Sequence, residues 1–175
     1  TLFRSPNQYL HEWLPKLKNS NAQQEYYLTD VIAMAVKDGV QVVGYKINNE
    51  LEVAGMNSQQ QLATAEREYQ LTQAEQLMTQ GVKLYDPTRL DIRGTVQVGK
   101  DVVIDVNVIF EGEVIIGDNV CIGPNVIIKN SRLDAGTVIH ANSVIDTATI
   151  GQQCEIGPFA RIRPGTNLKA SNKIG

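Results

Sequence analysis

Two histidines, two cysteines and one tryptophan are all that the 175 residues hold of those types. Three imidazoles cannot converge on zinc within this chain, which argues against the carbonic anhydrase type of site. Cys121 and Cys154 match neither a metal-ligand spacing nor a disulfide framework, and a reduced, cytoplasmic setting is expected. No apolar run reaches the roughly 18 residues of a membrane-spanning helix. The opening residues lack the pattern of a secretory signal. Lys and Arg total 16 against 19 Asp and Glu, a net charge of −3 with no run of one sign, so neither nucleic acid nor a membrane is expected as partner. No Gly-rich phosphate loop is present.

What the chain does have is a period. From Ile92 an aliphatic or aromatic residue recurs every sixth position: Ile92, Val98, Ile104, Phe110, Ile116, Ile122, Ile128. A five-residue step leads to Leu133, Ile139 and Ile145, and another to Ile150, Ile156, Ile162, Leu168 and Ile174. Two positions before most of these stands a small or β-branched residue, such as Val102, Val120, Thr137, Ser143 or Cys154. A helix would repeat at three and four, and a lone strand at two. A period of six with inward residues at i and i−2 suits a short strand followed by a turn. Three such units make one triangular coil of about 18 residues, the hexapeptide form of the parallel β-helix. Regularly spaced strands of a sandwich are the alternative, but their spacing is longer. Each five-residue step is expected to tighten one corner, Cys154 to face inward and Cys121 outward. The chain stops inside a repeat and begins without Met, so a piece of a longer protein is expected.

Upstream, residues 1–57 read as α/β material, the remnant of a Rossmann-like sheet. Ser5-Pro6 starts a helix that Pro15 breaks. Thr29 caps a second helix carrying Val31, Ile32, Ala35 and Val36. Gln41 to Ile47 reads as a strand. Ser58 to Gln80 reads as one long, mostly polar helix with a Ser58/Gln61 capping box and Gly81 at its end, a rigid linking arm. Asp86-Pro87 marks the turn into the repeats. The expected domains are 1–57, a linker helix 58–81 and the coils 82–175.

Three segments carry candidate chemistry. Gly55-Met56-Asn57-Ser58 offers the Asn57 side-chain oxygen to Mg²⁺ or a sugar hydroxyl, against a simpler role in shaping the turn. Glu25-Tyr26-Tyr27-Leu28-Thr29-Asp30 places an acid, phenols and a hydroxyl near a helix N-terminus, a mixture suited to sugar hydroxyls or simply to capping. In Gly157-Pro158-Phe159-Ala160-Arg161-Ile162-Arg163-Pro164-Gly165, inward Ala160 and Ile162 force Arg161 and Arg163 outward. A guanidinium fork there can hold two phosphate oxygens. His11 and His140 read as surface residues.

These three segments, in this order around a capped helix and followed by hexapeptides, resemble the bifunctional GlmU family of bacteria along the whole chain. That family joins N-acetylglucosamine-1-phosphate uridyltransferase to glucosamine-1-phosphate acetyltransferase. The resemblance implies a left-handed parallel β-helix, an exception to the right-handed crossover rule. It implies that Asn57 binds Mg²⁺ and the UDP-sugar, that Glu25 and Thr29 line the sugar pocket, and that Arg163 binds the sugar phosphate of the acetyltransferase site. It implies acetyl-CoA, UTP and Mg²⁺ as reactants and cofactor, UDP-N-acetylglucosamine as product, and a homotrimer formed through the β-helix. No catalytic residue falls within these 175 positions: the family's nucleotide loop, second Mg²⁺ ligand, catalytic histidine and acetyl-CoA coils have no counterpart here. The alternatives are a single-activity sugar-nucleotide pyrophosphorylase with a β-helix tail and a non-catalytic trimerising module.

Overall fold

The computed structural model describes residues 5–175; the first four residues of the expected 1–57 unit lie outside them. The described chain divides into a compact unit ending at Met56 and a second one, Asn57–Gly175.

The first unit holds two short helices, α1 (Asn7–Trp13) and α2 (Asp30–Lys37). α1 gives way to a 3-10 turn, Leu14–Lys16, where Pro15 can no longer donate to the helix. Its start lies one residue later than Ser5-Pro6 implies, with Pro6 at the cap and no side-chain cap bond. Trp13, Val31 and Ala35 form a small core flanked by Tyr9, Leu10, Leu17, Met34 and Val40. The Trp13 indole N–H donates to Asp38 at 2.7 Å. Ile32 and Val36, the other apolar residues named on α2, are exposed. The strand expected at Gln41 to Ile47 is not formed. Among the described residues of this unit no strand runs beside it, so its N–H and C=O groups have no ladder, and Val43 and Tyr45 are exposed.

In the second unit, short parallel strands stack into three walls. Along the first, Lys83–Leu84, Val103–Ile104, Cys121–Ile122, Val138–Ile139, Glu155–Ile156 and Lys173–Ile174 pair in sequence. The second aligns Ile92, Phe110, Ile128, Ile145 and Ile162. The third aligns Val98, Ile116, Leu133, Ile150 and Leu168. These are the side chains of the six-residue register, and they form one continuous buried column. The parallel β-solenoid is therefore the fold. Cys154 is buried in it and Cys121 is exposed.

Successive coils are 18 residues apart where Phe110 pairs with Ile128, and 17 where Ile128 pairs with Ile145. The two five-residue steps cause the difference, and both fall at the same corner, between the second and third walls. Corners need left-handed backbone. At the corner between the first and second walls Asn107 (φ 60), Asn125 (φ 58) and Asn142 (φ 62) take it, and their amides stack at 2.8 and 3.1 Å. Asparagine tolerates this conformation better than most residues.

The long helix α3 (Gln59–Thr79) does more than link. Ser58 caps it by accepting from Gln61 N–H, while the Gln61 side chain accepts from the Asn57 N–H, one residue upstream of the expected reciprocal bond. Residues 59–64 of the helix are exposed, as an arm would be. Its C-terminal half lies over the first coil and buries Gln70, Ala74 and Leu77, because an open solenoid end exposes apolar residues such as Leu90 and Ile92. Gln70, 3% exposed, accepts from the Ile92 N–H at 2.7 Å and donates to the Ile92 carbonyl at 3.0 Å. One side-chain amide thus takes the place of the missing neighbouring strand. No helix among the described residues is long and apolar enough to cross a membrane.

Replacing Gln70 by Leu leaves the Ile92 N–H without a partner, at about 1–3 kcal/mol for an unpaired buried group, while the Ile92 carbonyl keeps a longer bond from Gln73 at 3.4 Å. Urea unfolding of Gln70→Leu is expected to show a loss of about 1–3 kcal/mol. An unchanged midpoint would remove the strand-substitute role.

Candidate functional site

Outward positions of the solenoid alternate with the buried ones, so they form columns at the coil period. On the second wall Arg93, Glu111, Lys129 and Asp146 lie in register, and Arg163 follows one place beyond the Ile145–Ile162 pair. Their charges alternate in sign. Glu111 is held by Lys129 at 2.6 Å and by Arg93 at 3.4 Å, and Arg93 and Arg67 share Asp91. The Lys129 ammonium, with Arg93 beside it, holds the Glu111 carboxyl below its ordinary value of 4.5. Asp146 accepts the Thr147 hydroxyl at 2.8 Å.

Arg163 is the last charge of this column among the described residues. It is exposed and has no ion pair among the described residues. Arg161, one residue from it across Ile162, is likewise exposed and unpaired. The corner preceding them is rigid. Phe159 takes a left-handed backbone (φ 59) in the place that asparagine holds on the coils below, and its ring is 76% exposed. Gly157 is buried at φ 90, and a Cβ there would collide with the Ser143 hydroxyl. Two outward guanidiniums on a fixed corner form a platform for an oxyanion, with both prongs of each fork open.

On the first wall, His140 is a partly exposed surface residue, and it is paired. Its Nε2 lies 2.9 Å from Glu155 Oε1, and Glu155 Oε2 lies 2.9 Å from the Lys173 ammonium. Lys173, and next His140, hold Glu155 below its ordinary value of 4.5. Sequence reading missed both this trio and the charge column, although a comparison of charges 17 and 18 residues apart exposes the column.

The remaining candidates fall elsewhere. Glu25 and Thr29 belong to the first unit, and both are exposed. Asn21 fixes the Glu25 backbone, accepting from its N–H at 3.1 Å and donating to its carbonyl at 2.5 Å. Thr29 occupies the cap position of α2 without a side-chain cap bond. Asn57 precedes α3, and its side-chain oxygen is exposed and unengaged among the described residues. An amide oxygen suits Mg²⁺, but it is one donor of the roughly six required. Among the described residues no group of three His, Cys, Asp or Glu could complete a metal site. No contact among the described residues joins Asn57 and Arg163: Asn57 precedes the exposed start of α3, and Arg163 lies on the fifth rung of its wall, four strand spacings or about 19 Å from the first.

Stacked six-residue rungs, an unbroken aliphatic interior and corners in left-handed backbone define a hexapeptide-repeat solenoid protein. A family model described as the GMPPB C-terminal domain matches residues 92–174. Bifunctional protein GlmU of Pseudomonas paraeruginosa is 59% identical over 170 residues, and that of Acinetobacter baylyi 53% over 169, each across 97% of this chain. GlmU of Marinobacter nauticus is 54% identical over 167 residues and 95% of the chain. The chain is thus homologous to a segment of the bifunctional GlmU proteins along nearly its whole length. It spans 37% of the length of these relatives. A solved hexapeptide-repeat acetyltransferase from Vibrio cholerae, complexed with acetyl coenzyme A, aligns over 93% of this chain and 92% of its own, with a TM-score of 0.47 and 15% identity.

The Glu111 shift has a definite sign. A carboxylate whose pKa is depressed by folding stabilises the native state above its unfolded value, and that stabilisation disappears as pH falls through the folded value. Thermal melts should show wild type above Glu111→Gln at neutral pH, with the gap closing as the solution is acidified below 4.5. A gap that widens on acidification would reverse the assignment.

Proposed function

We propose that a protein of the relatives' length carrying this chain makes UDP-N-acetylglucosamine in the cytoplasm. It transfers an acetyl group from acetyl-CoA to glucosamine-1-phosphate, then a uridyl group from UTP to the product. The observation that carries this reading is Arg163, an unpaired guanidinium on a fixed corner, in a segment homologous to GlmU. Its fork binds the sugar phosphate through two charge-assisted hydrogen bonds and so orients the sugar. The sugar amine then attacks the thioester carbonyl, the thiolate of coenzyme A leaves, and a histidine outside these residues takes the amine proton. Donors at the carbonyl oxygen stabilise the oxyanion.

Asn57 contributes to the other activity. Its carbonyl oxygen is one ligand for Mg²⁺, which neutralises charge on the nucleotide phosphates when bound, and a contact for the UDP-sugar. Glu25 and Thr29 supply polar groups to the sugar. The described residues alone hold neither set of reacting groups, so the 175-residue chain is inactive by itself. A homotrimer through the solenoid fits the outward Ile109, Ile127 and Val144, which line up on the second wall half-buried in the single chain.

In such a protein Arg163→Ala should cost about 2 kcal/mol of phosphate binding, about thirtyfold in KM for glucosamine-1-phosphate, with uridyl transfer unchanged. Equal loss of both activities would misplace Arg163. Asn57→Ala should instead weaken uridyl transfer and alter its Mg²⁺ dependence, and an unaltered dependence removes the ligand role. Coupled assays of the pure 175-residue chain should detect no acetyl transfer, and measurable turnover would refute its inactivity.

A further inference from the structure

The two five-residue steps do more than shorten two coils. At the corner between the second and third walls, six-residue steps run through Gly112 and Gly165, and five-residue steps through Asn130 and Thr147. The inward residue at this corner is Val96 and Val114 on the lower coils, but shrinks to Ser131 and Ala148 on the two shortened ones. Ser131 ties them together, accepting from the Ala148 N–H at 3.0 Å. With one residue fewer and a smaller inward side chain, the corner is drawn toward the axis for two consecutive coils. The full-length corners below and above become rims. The result is a notch of about 480 Å³ on the outer surface, within the usual span for small-molecule sites of about 300–1,000 Å³.

The lining is polar and largely unengaged. The Glu113 carboxylate, the Thr149 hydroxyl and the Asn167 amide have no side-chain partner among the described residues. Arg132 gives only its Nε to Asp134, at 2.8 Å, which fixes the guanidinium plane and leaves both terminal nitrogens open. Asn130 accepts from the Glu113 N–H at 3.2 Å, and its NH₂ remains free. The Ile115 side chain and the Thr149 methyl supply the apolar part of the lining. One carboxylate and one guanidinium give the lining a net charge of zero.

We propose that this notch is a binding site for a neutral sugar, separate from the Arg163 phosphate platform and independent of the acetyl-transfer reading. Planar carboxylate, amide and guanidinium groups each present two hydrogen-bonding atoms, the pattern that matches pairs of adjacent ring hydroxyls. The aliphatic patch takes the C–H face of the ring. A corner built from fixed backbone offers these groups with little ordering cost.

The test is a nitrogen-15 NMR titration of the 175-residue chain with methyl α-glucopyranoside. Saturable amide shifts confined to 113–115, 130–132, 147–149 and 165–167 are expected. Thr149→Trp fills the notch from an outward position, where folding is not at stake, and should weaken binding about tenfold or more. Inserting one glycine after Asn130 and another after Thr147 restores six-residue steps and should abolish the shifts. Absence of saturable shifts overturns the proposal, as do shifts elsewhere on the surface or shifts that survive Thr149→Trp. Glucose-1-phosphate is the control for charge: binding at this corner more than about tenfold tighter than the neutral glucoside would overturn the selection for an uncharged ligand.

Discussion

Every feature of the second unit depends on the stacking of parallel rungs, in which each inward isoleucine finds its packing partners on the coils above and below. A single triangular coil has no core of its own. Ile122, for instance, is buried only because Ile104 and Ile139 stand in register on either side of it. The backbone ladder imposes the same dependence, since Cys121 donates upward to the Thr137 carbonyl and Val103 to that of Val120. Such a stack is strong in its middle and vulnerable at its ends. Helix α3 answers that vulnerability at the first coil, with Ala74 and Leu77 covering the core and Gln70 completing the ladder at Ile92.

The same stacking turns the outer surface into a set of columns, and the candidate sites are consequences of that geometry. A charge placed once per coil comes to rest above its neighbour at about 5 Å, close enough for alternating signs to pair. Glu111 is held in this way by Lys129 and Arg93. Arg163 pairs with no charge among the described residues, and an open guanidinium is what suits a side chain to an external anion. The proposed sugar site arises from the same rule by a different route. Deleting one residue from the same corner on two successive coils retracts that corner twice, so a defect in the repeat becomes a recess in the wall.

The fold was legible in residues 92–175 because the period is a physical requirement: an inward position must be apolar on every rung. The five-residue steps were legible too, as tightened corners, although their placement at one shared corner required the register. The outward direction of Arg161 and Arg163 followed from inward Ala160 and Ile162. Other parts were hidden for reasons that are equally physical. The Val42-Val43 run has strand composition, yet a strand exists only where a neighbour accepts its hydrogen bonds, and among the described residues of the first unit none does. His140 seemed isolated because Glu155 is 15 positions away in sequence while the coil makes them neighbours at 2.9 Å.

Sequence alone determined the repeat, its inward residues, the helix that precedes it and the family to which its motifs point. These rest on local pattern: side-chain size, turn chemistry and capping act over a few residues. The tertiary structure alone decided which outward residues meet, where α3 ends as an arm and begins as a cap, and that the shortened steps open a notch. Those outcomes depend on residues 15 to 24 positions apart becoming adjacent through the stacking of coils and the packing of α3, a distance over which no local pattern carries information.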